Sequence, residues 1–519
     1  MNLKDQVTKT ALNKSLDWWL KNPEENSLKV MNLLDTYAPE GMFPSQRKAF
    51  KHALETHDNW YQLIMKTVQY LNPAVRNDLI KTLLVDANFL AWGQQEKSRE
   101  KYQCNIPWAV LMDPTSACNL HCTGCWAAEY GHNLNLTFEE LDSIICQGKE
   151  LGTHIYIYTG GEPLVRKHDL IKLCEKHPDC IFLSFTNSTL IDEAFCQDMI
   201  RVKNFVPAIS VEGFESATDA RRGDGTFGKV KQAMALLREH GLPFGVSCCY
   251  TSQNASSIAS EEFFDWMIDQ GVLFAWIFTY MPVGVDAPTD LMITPEQRVH
   301  LYNFVRQMRK EKPLFTLDFQ NDGEYVGGCI AGGRRYLHIN AAGDVDPCVF
   351  THYSTANIRE VSLLDALRSP LFMAYYQHQP FNANFLQPCP FLENPDALAA
   401  MVEESGAHCS DLEAKEPAQT LCGKCHDFAE AWAPIAEQLW YDKNDPEYEG
   451  RQAATKGMAD SDLAKLKRQQ RSLVNEREER AAEIEQAAMS SNGFRAVGFG
   501  EQGAQDESET AHERKLVAL

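Results

Sequence analysis

Hydrophobic and polar positions follow two different periods along the chain, and the period changes near residue 105. The first hundred residues carry apolar side chains at helical spacing, separated by turn or helix-breaking residues. This pattern predicts a helical N-terminal module. Its predicted helices cover residues 16–20, 28–37, 44–55, 60–70 and 74–89.

From Pro107 onward, short apolar runs alternate with amphipathic segments. The predicted strands cover residues 108–112, 154–159, 181–186, 206–211, 244–250 and 274–280. Helical patterns follow them from residues 138, 169, 192, 229, 261 and 295. Six strand–helix units predict an α/β fold in which a parallel sheet with crossover helices is closed, or partly closed, like a barrel.

The pattern divides the chain into four predicted parts. They are a helical module (1–103), a partial (β/α)6 barrel (104–312), a loop-rich, cysteine-containing module (313–440), and a charged helix with a tail (441–519). Within the last part, residues 459–489 are dense in Arg, Glu, Gln, Lys and Ala, which is typical of a solvated helix. The Gly- and Glu-rich segment from Ser490 is predicted to be disordered.

Charge and hydropathy narrow the range of partners. The 519 residues include 71 acidic and 49 basic side chains, a formal charge of -22 that repels nucleic-acid phosphates and anionic membranes. The polar N-terminus MNLKDQVTKT lacks the features of a secretory signal, and the longest apolar stretch, 271–285, is too short to span a bilayer. We expect a cytoplasmic protein with no nucleic-acid partner and no transmembrane segment.

Sixteen cysteines in a reducing compartment indicate metal binding or buried thiols rather than disulfides. Six of them lie in helix or strand patterns and are predicted to be ordinary small core residues. These six are Cys146, Cys174, Cys180, Cys196, Cys248 and Cys249. In contrast, Cys118, Cys122 and Cys125 lie in a loop between a strand and a helix, so they require another explanation.

The loop DPTSACNLHCTGCW places three thiols at C-x3-C-x2-C spacing directly after the first predicted strand. Ligands of parallel sheets collect at the carboxyl ends of strands. Three thiolates can hold three irons of a [4Fe–4S] cluster, whereas most electron-transfer clusters take four, so the fourth iron is left open. A structural zinc loop is the alternative, but zinc sites usually pair C-x2-C with a second such pair or with histidines.

Over residues 107–311 the sequence resembles the radical S-adenosylmethionine (SAM) superfamily, whose cluster motif has this spacing. The resemblance implies that Cys118, Cys122 and Cys125 are the catalytic cluster ligands and that the open iron binds the amino and carboxylate groups of SAM. Reductive cleavage of SAM then yields methionine and a 5'-deoxyadenosyl radical. One departure is Gly124, where many members have an aromatic residue; here Trp126 follows the third cysteine instead.

Further segments resemble cofactor-binding motifs of the same superfamily. YTGGEP after the second strand is similar to the GGEP segment that binds the amino group of SAM, and a carboxylate suits an ammonium. The segments SFTN, ISVEG and DARRG, and more loosely YMPVG at 280–284, resemble later contacts. The implied cofactor-binding residues are Gly160, Gly161, Glu162, Pro163, Asn187, Ser210, Glu212 and Arg222. By the resemblance, Ser210 and Glu212 contact the ribose region and Arg222 the methionine carboxylate; each polar residue singly is equally well a helix cap or salt bridge.

A second cysteine group begins with CIAGGRRYLHINAAGDVDPC, in which thirteen residues separate Cys329 from Gly343 and four more precede Cys348. The segment predicts a short hairpin with the cysteines at its open end. It resembles the opening of the SPASM or twitch auxiliary-cluster module, although the C-x2-C-x5-C-x3-C run of a full SPASM domain is absent. The resemblance favours one auxiliary iron–sulfur cluster held by Cys329, Cys348 and Cys389. The fourth ligand is left open between Cys409 and the Cys422–Cys425 pair, with free thiols or a small zinc site as the alternative.

The resemblance implies an enzyme that abstracts hydrogen from a substrate C–H bond, with a flavodoxin- or ferredoxin-type reductant. Two substrate classes stay open: a peptide or protein, and a lipid or other small apolar metabolite that undergoes carbon–carbon chemistry. A non-catalytic electron-transfer or sensor protein is the alternative function. Three thiolates beside a GGEP segment argue against it, because an electron carrier needs no amino-acid site and prefers four protein ligands.

Overall fold

The computed structural model describes residues 3–38, 42–445, 448, 449 and 451. The predicted charged helix and tail beyond residue 451 lie outside the described residues. Among the described helices, none is both long enough and apolar enough to cross a membrane.

A nine-stranded sheet with the order β7-β6-β5-β4-β3-β2-β1-β8-β9 forms the centre of the fold. All neighbours pair in parallel except β8 and β9. The strands are β1 Ala109–Met112, β2 Ile155–Tyr158, β3 Ile181–Thr186, β4 Phe205–Ser210, β5 Gly245–Tyr250, β6 Phe274–Thr279, β7 Phe315–Asp318, β8 Tyr336–Ile339 and β9 Val345–Asp346. A separate antiparallel pair joins β10 Tyr353–Ser354 to β11 His408–Cys409.

The six predicted strand–helix units are confirmed. Buried strands read as apolar runs because helices cover the sheet, and crossover helices carry the chain back between parallel strands. The helices of this region are α7 Phe138–Leu151, α8 Lys167–Lys176, α9 Glu193–Val202, α10 Glu215–Arg222, α11 Thr226–Glu239, α12 Ala255–Ile258, α13 Glu261–Gln270 and α14 Pro295–Glu311. Short 3-10 turns lie at Ala128–Tyr130, Pro163–Arg166 and Thr289–Leu291.

The N-terminal helical module is also present. Its helices are α1 Leu3–Lys21, α2 Pro23–Tyr37, α3 Pro44–Thr56, α4 Asn59–Tyr70, α5 Pro73–Lys81 and α6 Ala91–Tyr102, with a π-helix at Thr82–Leu90 between the last two. A small core that includes Leu12, Leu16, Val30 and Phe89 lies among them. Hydrophobic burial within the module therefore supplements its contacts with the rest of the protein.

The segment after residue 312 extends the same sheet at both edges. β7 pairs with β6, and the predicted hairpin at residues 335–344 forms β8 and β9, of which β8 pairs with β1. The helices that follow are α15 Gly323–Val326, α16 Leu363–Leu367, α17 Pro370–His378, α18 Pro395–Ser405, α19 Ala418–Gly423 and α20 His426–Trp440. The boundaries at 103, 312 and 440 stay predictions, and the sheet continues across residue 312.

Candidate active site

The cysteine loop leaves the carboxyl end of β1 and is held against the end of β2 by backbone contacts. The Gly161 amide donates to the carbonyl of Thr115 at 3.0 Å, and the Glu162 amide donates to the carbonyl of Ala117 at 2.8 Å. A Cβ on Gly161 would lie only 2.2 Å from the Ala117 carbonyl oxygen. Glycine is therefore required here because two backbone segments touch.

Glu162 links the ends of β2 and β3 beneath this loop. It is 1% exposed and accepts hydrogen bonds from the Thr186 hydroxyl and the Asn187 amide, both at 2.7 Å, and from the Leu164 amide at 3.0 Å. Burial raises the pKa of Glu162, and these donors oppose that rise. The Asn187 side chain in turn donates to Asn119 of the cysteine loop at 2.7 Å, so Asn187 positions the loop.

A buried ion-pair group holds the other side of the cysteine loop. Glu212 is fully buried; its Oε1 accepts from Arg221 and from the Arg222 Nε, both at 2.7 Å, and its Oε2 accepts from the Cys249 amide at 2.8 Å. Burial alone would raise the pKa of Glu212, but the two arginines outweigh it and hold that pKa below its usual value. Arg221 also donates to the Gly124 carbonyl at 3.2 Å, so the group fixes the loop in place.

These elements converge on one cavity at the inner face of the sheet. Its lining includes the three cysteines of the loop and six of the eight residues predicted to bind the cofactor: Gly160, Gly161, Glu162, Asn187, Ser210 and Arg222. Pro163 and Glu212 do not line the cavity. Since the oxygens of Glu212 are occupied by the arginines and the Cys249 amide, its geometry is that of a support for the two arginines.

The spacing of the three thiols does not suit a single zinc ion. Zinc–sulfur bonds of about 2.3 Å bring thiolate ligands close together. Within the described residues, three ligand atoms lie within 4.8 Å of one another only at Asp142, Cys146 and His177, where Asp142 is already bonded to His177 and Lys176. The thiols of the loop are spread more widely, as a multi-iron cluster requires.

The thiols and nearby hydroxyls provide a second test of the fit to a cluster and SAM. Burial raises the pKa of Cys118 to about 11 and also raises that of Cys125, so iron binding has to displace protons. The Thr279 and Tyr280 hydroxyls line the cavity and are buried without a hydrogen-bond partner in the described structure. Orphaned polar atoms facing a cavity suit a polar ligand such as SAM.

The predicted auxiliary ligands Cys329, Cys348 and Cys389 lie near one another, close enough for each thiol to affect the pKa of Cys389. The Tyr336 hydroxyl lies 2.7 Å from the Cys348 Sγ, and two backbone amides donate to the Cys389 Sγ at 3.4 Å. Such donors stabilise thiolates. Tyr336 and Ile330 also line the cavity, so this second cysteine group adjoins it.

The other C-terminal cysteines are arranged separately. Cys422 and Cys425 are buried. The Glu393 carboxylate lies close enough to Cys425 to help raise the pKa of that thiol, and it accepts a hydrogen bond from the Cys389 amide at 2.8 Å. Cys409 faces Asp411, with the Cys409 Sγ 3.5 Å from the carboxylate. The C-x2-C pair is thus linked to Cys389 through Glu393, while the identity of the fourth ligand stays a prediction.

Two of the six cysteines predicted to be core residues are not buried. Cys146 is exposed on α7, and Cys249 is half-buried and lines the cavity. Strand alternation sends Cys248 toward the helices and Cys249 toward the cavity, which a doublet in a sequence does not reveal. Sequence reasoning also missed Arg221, although the DARRG segment contained it, and Arg335, which lies in no recognisable cofactor motif.

Aromatic side chains dominate the remainder of the lining. Trp108, Trp126 and Trp276 line the cavity, whereas Phe274, on the same strand as Trp276, does not. The other aromatic lining residues are Phe185, Phe278, Tyr280, Phe319, Tyr336 and Phe350. The cavity therefore combines a polar rim at the cysteine loop with an apolar interior.

Comparison with known proteins agrees with this arrangement. Residues 112–260 match the radical SAM superfamily, and residues 329–390 match SPASM, an iron–sulfur cluster-binding domain. The AdoMet-dependent heme synthase of Nitratidesulfovibrio vulgaris is 25% identical over an alignment of 318 residues that covers 55% of this chain and 84% of the relative. The PqqA peptide cyclase of Xanthomonas euvesicatoria is 23% identical over 343 residues, covering 62% of this chain and 87% of the relative.

Two further similarities are more limited. A cysteine-type anaerobic sulfatase-maturating enzyme of Clostridium perfringens is 29% identical over 173 residues, covering 29% of this chain and 46% of the relative. The crystal structure of Streptococcus suis SuiB bound to S-adenosylmethionine has a TM-score of 0.45 and 19% identity, covering 54% of this chain and 69% of SuiB.

The sheet and the cysteine loop define an enzyme of the radical SAM class. The chain carries a radical SAM domain over residues 112–260 and a SPASM iron–sulfur cluster-binding domain over residues 329–390. The two domains accordingly imply a [4Fe–4S] cluster, SAM and an auxiliary iron–sulfur centre as the cofactors.

Proposed function

We propose that the protein cleaves SAM reductively at a cluster held by Cys118, Cys122 and Cys125 and uses the resulting 5'-deoxyadenosyl radical to remove hydrogen from a substrate C–H bond in the cavity. The convergence of the cysteine loop, the Gly160–Glu162 segment and the Glu212 ion-pair group on a single cavity carries this proposal. When bound, the cluster and SAM supply the radical. The protein fixes the positions of the cluster and SAM and keeps water away from the radical.

The residues around the loop have separate tasks in this proposal. Gly161 permits the close backbone approach, and Glu162 offers a carboxylate to the SAM ammonium while tying β2 to β3. Arg222 lies beside Cys122 with its side chain 12% exposed and a guanidinium nitrogen 3.8 Å from the Cys122 Sγ, and its guanidinium suits the methionine carboxylate. The Ser210 hydroxyl, which lines the cavity, is available to the ribose.

The substrate class that the cavity favours is a small apolar molecule. Nine aromatic side chains surround an interior space, and such a lining buries apolar groups well and gives few hydrogen bonds to a peptide backbone. The heme synthase relatives act outside peptide chemistry, in keeping with this choice. Peptide or protein modification is the second candidate, and the peptide cyclase and sulfatase-maturating relatives favour it.

The test is anaerobic reconstitution with iron and sulfide, followed by an assay of 5'-deoxyadenosine in the presence of a strong reductant and of a flavodoxin or ferredoxin. Wild-type protein should form deoxyadenosine, and Cys125→Ala should not. Cys146→Ala, which removes an exposed thiol on α7, is the matched control and should keep full activity. If the wild-type cluster forms and SAM stays intact, or if Cys125→Ala still cleaves it, the electron-transfer or sensor function replaces this proposal.

A further inference from the structure

The charged side chains that line the cavity do not balance. The Glu162 carboxylate accepts from three hydrogen-bond donors and in the proposed function also receives the SAM ammonium, and Arg221 and Arg222 both pair with Glu212. Arg335 also lines the cavity, and within the described part of the chain its guanidinium makes no hydrogen bond or salt bridge; the acid that acts on it, Glu96, is paired with Arg99. One cationic group at the cavity is therefore left without a salt-bridge partner.

The surroundings of Arg335 contain two arginines, Arg334 and Arg99, against one acid, Glu96. Arg334 donates to two backbone carbonyls at 2.9 and 3.0 Å, and Arg99 is paired with Glu96. Burial, followed by the nearby Arg334 and Arg99, lowers the pKa of Arg335 to about 10. Arg335 is half-buried, and a charge that faces a cavity without a salt-bridge partner is typical of a binding site.

Arg335 and the cysteine loop lie at different levels of the sheet. The Arg335 carbonyl accepts from the amides of Trp108 and Ala109 at 2.7 and 2.9 Å, and Ala109 is in register with Tyr336 at the start of β8. The cysteine loop follows the opposite end of β1. The four residues of β1 separate the two levels by about 13 Å, at about 3.3 Å per residue.

The lining between these levels is apolar and aromatic. Side chains of successive strands face the cavity there, including Leu111, Ile157, Phe185 and Trp276. A molecule that reaches from one level to the other would be in contact with apolar groups along its length, with the SAM site at one end and a guanidinium at the other.

We propose that Arg335 binds the carboxylate of an elongated apolar substrate and so places the far end of that substrate beneath the cysteine loop. This inference rests on the proposed function in one respect, which is that the cavity is the substrate cavity. A planar guanidinium can donate two parallel hydrogen bonds to a carboxylate, and in a desolvated site these are strong. The substrate class is thereby narrowed to apolar carboxylic acids.

The experiment compares a carboxylate with its uncharged amide. Reconstituted, SAM-loaded full-length protein is titrated anaerobically with 6-phenylhexanoate and with 6-phenylhexanamide by calorimetry. Wild-type protein should bind the carboxylate about tenfold more tightly. Arg335→Gln should abolish this preference and leave amide binding within about twofold, and Arg335→Lys should restore part of it because a point charge remains.

Arg201→Gln is the matched control, since Arg201 lies half-exposed on α9 and pairs with surface acids. It should keep the wild-type preference. Because the Arg335 side chain makes no hydrogen bond to any residue that the structure describes, Arg335→Gln should also raise the melting temperature of the protein without ligand, whereas a structural arginine would lower it on removal. A preference that persists in Arg335→Gln, a lowered melting temperature, or wild-type protein that binds neither compound or both equally overturns the proposal.

Deoxyadenosine formation measured in the same preparations separates this proposal from the proposed function. A carboxylate preference that depends on Arg335 without any SAM cleavage would retain the anion site and refute the radical chemistry. SAM cleavage without a carboxylate preference would retain the radical chemistry and refute the anion site.

Discussion

Substituting Gly161 by alanine tests whether the backbone contact between the end of β2 and the cysteine loop organises the site. The added Cβ would lie 2.2 Å from the carbonyl oxygen of Ala117, 2.5 Å from its carbonyl carbon and 2.6 Å from the carbonyl oxygen of Ser116. All three atoms are backbone, so no side chain can turn aside. Ordinary contact begins at 3.4 Å, and the two segments therefore have to separate by about 1 Å.

This displacement acts directly on the cluster ligands, because Ala117 adjoins Cys118. Overpacking of this kind costs about 1–3 kcal/mol of folding free energy. A displacement of about 1 Å at reacting groups can lower the rate about 100-fold. We expect Gly161→Ala to lose most of its SAM cleavage while its secondary structure, followed by circular dichroism, stays intact. Iron content and deoxyadenosine formation are the two assays.

Gly228→Ala is the matched control, because a Cβ at Gly228 has no neighbour within 4 Å and the residue lies in α11. Alanine there should leave activity unchanged and add about 0.5 kcal/mol of stability. If Gly161→Ala binds iron and cleaves SAM at the wild-type rate, the contact between the two segments does not organise the site and the reasoning fails.

Two further predictions concern the buried polar groups. Glu212→Gln should destabilise the fold by about 3 kcal/mol in denaturant titrations, since it leaves two buried arginines without their anion, whereas Glu193→Gln at an exposed pair should have little effect. Because the pKa of Glu212 lies below its ordinary value of 4.5, the contribution of its charge to folding stability is complete at neutral pH and is lost as the pH falls below 4.5. A stability difference between wild-type protein and Glu212→Gln that persists at low pH would contradict this. Tyr336→Phe should make the midpoint potential of the auxiliary cluster more negative by about 40 mV, because it removes a hydrogen bond to the Cys348 thiolate, and an unchanged potential in a redox titration would contradict that role.

Much of the fold could be predicted from the sequence. The strands β1 to β6 are largely buried, so each appears as a short apolar run, and the helices between strands carry capping residues such as Thr137 and Thr294 at their starts. The hairpin of β8 and β9 was visible for the same local reason. Where the pattern faded after residue 312, β7 is only four residues long and its pairing with β6 is a long-range contact.

The residues of the candidate site likewise include some that could be predicted from the sequence and some that could not. The three thiols and the glycines beside them could be read from the sequence, because ligand spacing within one loop and backbone approach within one turn are local properties. Folding was needed to show that Glu212 pairs with two arginines, that Cys249 lines the cavity while Cys248 does not, and that Arg335 lines it without a salt bridge among the described residues. These facts depend on which side of a strand points inward and on which charges distant segments bring together, and no short stretch of sequence contains that information.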